Sequence, residues 1–445
     1  MTNEPQIAKA RPPQIAVTGM SAGGRGGVSL WLPLPFLATG ALASAIFGLM
    51  APFVAPLALV AYNEPRVLAL VHIVTLGWLT MTIMGASLQL APVILRSGLH
   101  ARRLAFTLYP MFVVGVTALV CGFWFQRGVL LIVGGSVIVA TVAHYVVIMG
   151  ATLARAASRP LTAWYLTAAI GYLCVVVSLG LTAALDLQFD FLPTGFARLL
   201  LAHITIGVIG WLTCTLLGVS YTLVRMFALV HNHTDRLGRL IFALLNVGVV
   251  GLAASSACDV RWGKALCGGV LVVAVWLYAY DYWRMLRLRQ RRVLDTTQRH
   301  ASVAVVYLTC VLPLAVGAAV FGCHRTGILM ALALSVFVGW LGQTAIGYLY
   351  KIVPFLVWQS RYAPLVGKTK VPLMRDLVQQ QWATATFWLL NCGLLGAVVA
   401  SALAWTLPLR FSCVVFGAGL VLAAANVIRA IAPKGSEQTR PTFAE

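Results

Sequence analysis

The sequence predicts an all-α integral membrane protein: twelve transmembrane helices as three four-helix repeats (pseudo-threefold), N- and C-termini cytoplasmic. Three observations predict it. The chain is 60% hydrophobic and 10% charged over 445 residues, against about 45–50% and about 25% in soluble domains, too little polar surface for a water-soluble globule. Apolar runs of the length a bilayer crossing needs, about 20 residues at 1.5 Å rise each, recur along the chain. One motif returns three times at nearly constant spacing.

The runs fall at approximately 31–60, 67–95, 104–125, 128–154, 160–184, 197–224, 237–257, 264–283, 301–322, 327–357, 380–405 and 411–431. Before them, residues 1–30 are polar and rich in Gly and Pro, without the apolar stretch of a cleavable signal peptide. They read as a flexible cytoplasmic tail, and residues 432–445 as a second. The membrane domain spans 31–431, with repeats at approximately 31–154, 160–283 and 301–431.

Orientation follows from the basic residues. With both ends inside, the cytoplasmic segments hold 25 of the 32 Lys and Arg, leaving Arg66, Arg127, Arg198, Arg261, Lys264, Arg325 and Arg410 outside. Such asymmetry is what positive-inside insertion produces. The densest run, Arg284 to Arg292, lies at an inner helix end, where it meets anionic headgroups. The net charge of +21 therefore reads as topology and contact with membrane lipids, with no nucleic acid. The expected location is a bacterial cytoplasmic (inner) membrane. Nine cysteines include no CxxC or CxxCH, which excludes covalent c-type haem. Cys258 and Cys267 flank one outer loop, as a disulfide or as free thiols.

The repeat is the most informative feature. Helix 2 carries Gly77-Trp78-Leu79, then Thr82 and Gly85; helix 6 carries Gly210-Trp211-Leu212, then Thr215 and Gly218; helix 10 carries Gly339-Trp340-Leu341, then Thr344 and Gly347. The intervals between the tryptophans are 133 and 129 residues, one four-helix block each. A second echo joins Leu245-Asn246-x-Gly248-x-x-Gly251 of helix 7 to Leu390-Asn391-x-Gly393-x-x-Gly396 of helix 11. Small residues pack helices closely in any bundle, but that does not explain the shared register. Twelve-helix transporters of the common kind are two six-helix halves, whereas three four-helix blocks close naturally into a ring.

On these helices lie the candidate ligands. His72 precedes Gly77 by five residues and His203 precedes Gly210 by seven, within the strings His72-Ile-Val-Thr75 and His203-Ile-Thr205. Both fall in the outer part of the membrane, where an ionisable group is costly and points to function. Neutral imidazole is a common ligand of haem iron and copper. The competing reading is a histidine bonded to a neighbouring helix. The third repeat has Leu332-Ala-Leu334-Ser335 there, without a histidine. His144 is a single buried histidine, His324 an outer-mouth one, and His100, His231, His233 and His300 read as solvated in inner loops. Arg410 is the sole charge between helices 11 and 12. It reads as an interfacial anchor beside Trp405 or as a partner for haem propionates, which match its fork. All eleven Asp and Glu are expected in tails, loops or helix ends, Asp281 among the last. That argues against proton-coupled transport.

The segments VHIVTLGWLTMTIMGASLQLAPVI and LAHITIGVIGWLTCTLLGVSYTLV, with three four-helix arcs, resemble subunit I of the haem-copper oxidases, in the cbb3-type oxidase and nitric oxide reductase branch. The resemblance covers nearly the whole chain in architecture and a few residues in motif. It implies haem b, with His72 as the low-spin haem ligand of helix 2, His203 at the copper-ligand position of helix 6, and Arg410 in the propionate-binding loop. It implies an electron donor or an oxidase-like partner subunit. The departures are the missing histidines of helices 7 and 10 and the missing tyrosine motif of helix 6. Copper would have an incomplete ligand set, and a binuclear oxygen-reducing centre cannot be assembled as in that family. The chain thus reads as a degenerate relative without oxygen reduction, serving electron transfer, haem or metal handling, or nitric oxide response, as in the haem-containing twelve-helix proteins of NnrS type. Two alternatives stand beside it. One is a transporter, whose loop motif Asp235-Arg236-Leu-Gly238-Arg239 resembles that of major facilitator proteins. The other is a cofactor-free structural or assembly subunit.

Overall fold

A computed structural model describes residues 30–192, 195–290 and 293–432. The expected tails 1–30 and 432–445 lie almost wholly outside these residues. The chain is 85% helical and has no strands among the described residues. Twelve helices are long and apolar enough to cross a membrane: α1 Pro33–Val60, α2 Pro65–Leu95, α3 Arg102–Trp124, α4 Gly128–Ala154, α5 Leu161–Phe189, α6 Phe196–Ala228, α7 Arg236–Ala257, α8 Arg261–Arg287, α9 Thr296–Phe321, α10 Thr326–Arg361, α11 Gln380–Ala402 and α12 Thr406–Ile431. An even number of spans brings both ends of the described chain to one side, here called the basic face.

Each helix packs on its chain neighbour, α4 on α5, α8 on α9, and α12 along α1, which closes a ring. Inside it stand α2, α6 and α10. Of their most apolar windows, 67%, 56% and 67% is buried, against 28–39% for α3, α4, α5, α7, α8, α9 and α11. Burial on all sides needs small residues. Gly85 lies against Phe36, Gly218 against Tyr165 and Gly347 against His300, while Gly77, Gly210 and Gly339 lie against Ala43, Tyr172 and Tyr307. A methyl group at most of these glycines would strike the ring or Cβ opposite, so the glycine register sets how closely α1, α5 and α9 approach.

The inner helices share a backbone irregularity. π-Helical stretches occupy Ile73–Thr80, Thr205–Thr213 and Ser335–Gly342. Such segments are rare and concentrate at functional sites. Near each onset a hydroxyl bonds a carbonyl four residues back: Thr75 to Val71, Thr205 to Leu201 and Ser335 to Ala331, at 2.8–2.9 Å. That bond competes with the regular ladder and loosens the turn.

The three hairpins α3–α4, α7–α8 and α11–α12 also make one kind of turn. Gln126, Asp259 and Ala404 are left-handed, with φ of 54°, 56° and 55°. The following N–H closes a six-residue ring at 2.8 Å: Arg127 to Gly122, Val260 to Ser255 and Trp405 to Ala400. This is the Schellman termination, at positions that ordinarily favour glycine. The glycines of α7 and α11 face inward onto their hairpin partners. Gly248 and Gly251 meet Leu271 and Cys267, and Gly393 and Gly396 meet Phe416 and Ser412. Cys258 and Cys267 are free thiols.

Several helices run farther than the apolar runs. α5 extends to Phe189, α9 begins at Thr296, and α12 begins at Thr406. Asp186, His300 and Arg410 are therefore helical, not in loops.

Candidate functional site

Both outer histidines sit where α-helix gives way to π-helix. His72 is the last α-helical residue before Ile73, and His203 the last but one before Thr205. The His72 Nδ1 lies 2.8 Å from the Leu68 carbonyl. The His203 Nδ1 lies 3.1 Å from the Val176 carbonyl of α5. A carbonyl only accepts, so in both rings Nδ1 carries the proton and Nε2 holds the lone pair. Neither Nε2 has a hydrogen bond among the described residues.

Packing fixes their orientation. The His72 ring stacks on Phe123 of α3, centroids 4.9 Å apart at 22°. His203 Cε1 lies over Gly180 of α5, where any Cβ would stand 3.0 Å from it. Gly180 therefore makes room for the His203 ring, which a side chain there would press on. Two imidazoles with Nδ1 tied to carbonyls and Nε2 unbonded offer the kind of donor that a haem iron or a copper ion takes. Among the described residues no three His, Cys, Asp or Glu converge, so these side chains do not by themselves form a three- or four-ligand metal cage. The residues present fit a haem iron on this count, and they fit copper only with an incomplete shell. Arg410 is not part of this group. It is exposed in the first turn of α12, which packs on α1 and α11, and it has no ion pair or hydrogen bond among the described residues.

Below the histidines, the tryptophans tie the inner helices together. Trp211 Nε1 donates to Thr80 Oγ1 at 2.9 Å, and Trp340 Nε1 donates to Thr213 Oγ1 at 3.0 Å. The corresponding position on α10 is Gly342, over which the Trp78 ring lies, and Trp78 Nε1 is buried without a partner. Beneath this layer is an axial apolar cavity of about 50 Å³, lined by Leu79, Leu212 and Leu341 among others.

Toward the basic face the structure corrects three expectations. Asp281 is not at a solvated helix end. Its side chain is fully buried in α8, as is that of His233, whose Nε2 lies 2.9 Å from Asp281 Oδ1. Tyr221 donates to Asp281 Oδ2 at 3.2 Å and Arg284 reaches Oδ1 at 3.0 Å. His233 was expected to be solvated, but it clasps the α6–α7 loop onto α8. His300 is likewise buried, not solvated. Its Nδ1 bonds Gln343 Oε1, Gln343 Nε2 donates to Asn391 Oδ1 at 2.9 Å, and His300 Nε2 is left unpaired. Burying such groups demands partners, and the amides of Gln343 and Asn391 supply one for His300 Nδ1. His100 is half-buried, with Nδ1 2.7 Å from Arg155 Nη1, and His324 is exposed. His144 is half-buried, with only a 3.5 Å approach to Thr107. Part of the basic run Arg284 to Arg292 also turns inward, since Arg284 pairs with Asp281 and is not left for headgroups. Sequence reading missed the polar chain of His300, although Gln343 and Asn391 inside apolar runs were its signal.

No family model matches the chain, and no curated protein matches it.

Proposed function

We propose that this chain is a haem-b-binding protein of a bacterial cytoplasmic membrane, built of three four-helix units and related to subunit I of the haem-copper oxidases, without oxygen-reducing turnover. The threefold reading is supported by three features at matching registers: the π-helical stretches, the glycine contacts and the left-handed hairpin turns. The basic face is taken as cytoplasmic because, among the described residues, the segments at that face hold all the Lys and Arg but Arg66, Arg127, Arg198, Arg261, Lys264, Arg325 and Arg410.

The observation that carries the haem reading is the geometry of His72 and His203. Each presents an unbonded Nε2 from an ordered ring in the apolar outer half of the bundle, on two of the three inner helices. Bound haem would supply one-electron chemistry. The chain's part would be to hold both imidazoles in the Nδ1-protonated tautomer, with Gly180 making room for the His203 ring. Electron transfer, haem handling and nitric oxide response all draw on such a centre, and an electron donor or oxidase-like subunit would be its partner.

The test is the reduced-minus-oxidised optical spectrum of the purified protein, with a pyridine haemochrome assay. Near-stoichiometric b-type bands, lost in His72→Ala, support the reading. Unchanged haem content in His72→Ala, or a colourless protein after haem-supplemented expression, overturns it.

One observation favours a transporter instead. The buried Asp281–His233 pair is the kind of ionisable group that proton-coupled carriers use. Substrate flux abolished by Asp281→Asn in a haem-free protein would select that reading.

A further inference from the structure

We infer that the basic-face end of the bundle, between α9, α10 and the start of α11, holds a binding site for an amphiphilic phosphate ester. A cavity of about 720 Å³ opens there, within the roughly 300–1,000 Å³ of small-molecule sites. It shares no lining residue with the histidine pair, so the inference does not rest on the haem reading.

The polar groups of its wall decide the sign of the ligand. Asp295 caps α9 through Oδ1, which accepts from Gln298 N at 3.2 Å, and its Oδ2 pairs with Lys351 Nζ at 2.7 Å. Both carboxylate oxygens are thus engaged within the protein. The donors outnumber what they can accept. An ammonium has three N–H groups, so Lys351 keeps two beyond the Asp295 contact. Arg375 stands at the rim, its side chain 78% exposed and its Nε 3.7 Å from Asp376. Thr296 and Thr297 open the 26-residue helix α9, whose cap takes the N–H of Gln298 and leaves theirs.

Thr297 adds an independent pointer. It is 2% exposed and lines the cavity, yet its hydroxyl has no hydrogen-bond partner among the described residues. The hydroxyl of so enclosed a residue is normally satisfied, and the cavity that Thr297 lines is where a partner would enter. A helix N-terminus, an ammonium, a guanidinium and a hydroxyl converging on one space recognise a phosphoryl group. The rest of the wall is mostly apolar, with Pro354, Leu373, Met374, Val378 and Ala383 beside Tyr350 and Gln380. Inorganic phosphate would leave that part unfilled, so the ligand carries an apolar portion.

The site is preformed. Trp358 Nε1 donates to the Pro372 carbonyl at 2.8 Å, which ties the α10–α11 connection to α10. Asn426 of α12 holds Gln379 through two hydrogen bonds of 2.9 and 3.0 Å. Little ordering remains to be done when a ligand enters.

The same chemistry is offered by an anionic phospholipid headgroup entering from the bilayer and by a water-soluble aromatic or alkyl phosphate. Delipidated full-length protein in detergent is titrated with dioleoylphosphatidylglycerol, with 1-naphthyl phosphate and with dioleoylglycerol, by native mass spectrometry and thermal shift. Saturable binding of the phospholipid or of naphthyl phosphate supports the site and identifies the source. It is expected to weaken about tenfold or more in Thr297→Val and in Lys351→Gln/Arg375→Gln, the scale of a lost hydrogen bond to a charged group. Thr297→Val changes one hydroxyl at constant shape, so the test stands even where the double variant fails to fold. Equal binding of dioleoylglycerol, no binding of either phosphate, or unchanged affinity in Thr297→Val overturns the inference.

Discussion

α10 differs from α2 and α6 in ways that separate chemistry from scaffold. All three inner helices share a Gly-Trp-Leu core, a π-helical stretch and a glycine pressed on the outer ring. In the outer half, however, α2 and α6 carry His72 and His203, while α10 carries Leu332 and Leu334. At the tryptophan level α2 and α6 offer Thr80 and Thr213 as acceptors, while α10 offers Gly342. Toward the basic face the order reverses. Gly85 and Gly218 meet Phe36 and Tyr165, whereas Gly347 meets His300, which bonds Gln343 of α10 itself. The shared features are the ones that pack. Those that differ carry polar chemistry: the histidines on α2 and α6, and near the basic face the His300–Gln343 bond on α10.

The largest expected effect breaks the comparison at its outer end. If the proposed haem is held by both imidazoles, His72→Ala or His203→Ala should remove nearly all b-type absorbance. Leu332→Ala on α10 should leave the spectrum unchanged. Equal loss from all three substitutions would mean that the outer half responds as a packed unit, and the assignment of the two imidazoles would fall.

The next effect concerns the clasps. Asp281 of α8 holds His233 of the α6–α7 loop, and Asn426 of α12 holds Gln379 of the α10–α11 connection. Asp281→Asn strips the charge from a buried cluster and leaves Arg284 and His233 without their counterpart. That costs on the order of 3 kcal/mol. Asn426→Ala leaves one backbone N–H and one carbonyl to find other partners, about 1–2 kcal/mol. Unfolding of both variants in the same mixed micelles should rank them in that order, and a larger loss for Asn426→Ala would show that the charge of Asp281 is not what matters.

How much of this was legible in the residues follows a physical line. The spans were legible because burial in hydrocarbon needs long apolar runs, and their number and approximate places agree with the twelve helices. His72 and His203 stood out as ionisable groups inside such runs. What sequence did not give is where a helix continues past its apolar part. α9 starts at Thr296, five residues before its run, so His300 was read as a loop residue. Asp281 lay inside the expected span, but its burial depends on the α6–α7 loop folding back with His233, a tertiary event no local pattern records. The π-helical stretches were invisible because they are a backbone choice made under packing.

A finer test uses the tryptophans against one another. Trp211→Phe and Trp340→Phe each lose a hydrogen bond and leave a threonine hydroxyl without its donor, about 1 kcal/mol beyond the loss of ring size. Trp78→Phe removes an N–H that already has no partner. All three substitutions delete the same atoms, so the difference isolates the bond. Trp78→Phe should be the mildest by about 1 kcal/mol in detergent unfolding. A Trp78→Phe loss equal to the other two would mean that Trp78 Nε1 has an acceptor, and the open edge at Gly342 would have to be abandoned.

The smallest effect concerns the hairpins, where the three units are most alike. Gln126, Asp259 and Ala404 hold left-handed φ values of 54–56°, a conformation that costs a residue with a Cβ about 1–2 kcal/mol and glycine almost nothing. Ala404→Gly and Gln126→Gly should therefore stabilise, by about 0.5–1 kcal/mol once glycine's extra unfolded freedom is subtracted. Asp259→Gly should gain less. Aspartate tolerates this region better, and Asp259 also pairs with Lys264 at 2.7 Å, which holds its carboxyl below the usual range through that hydrogen bond and charge. An exposed pair of this kind is worth little, but it lies on the side of the native residue. The gain for Ala404 and Gln126 should therefore exceed that for Asp259, measured as the shift in thermal midpoint of the detergent-solubilised chain. A destabilised Ala404→Gly would show that the turn after α11 is held by contacts other than its backbone ring, and would set that hairpin apart from the other two.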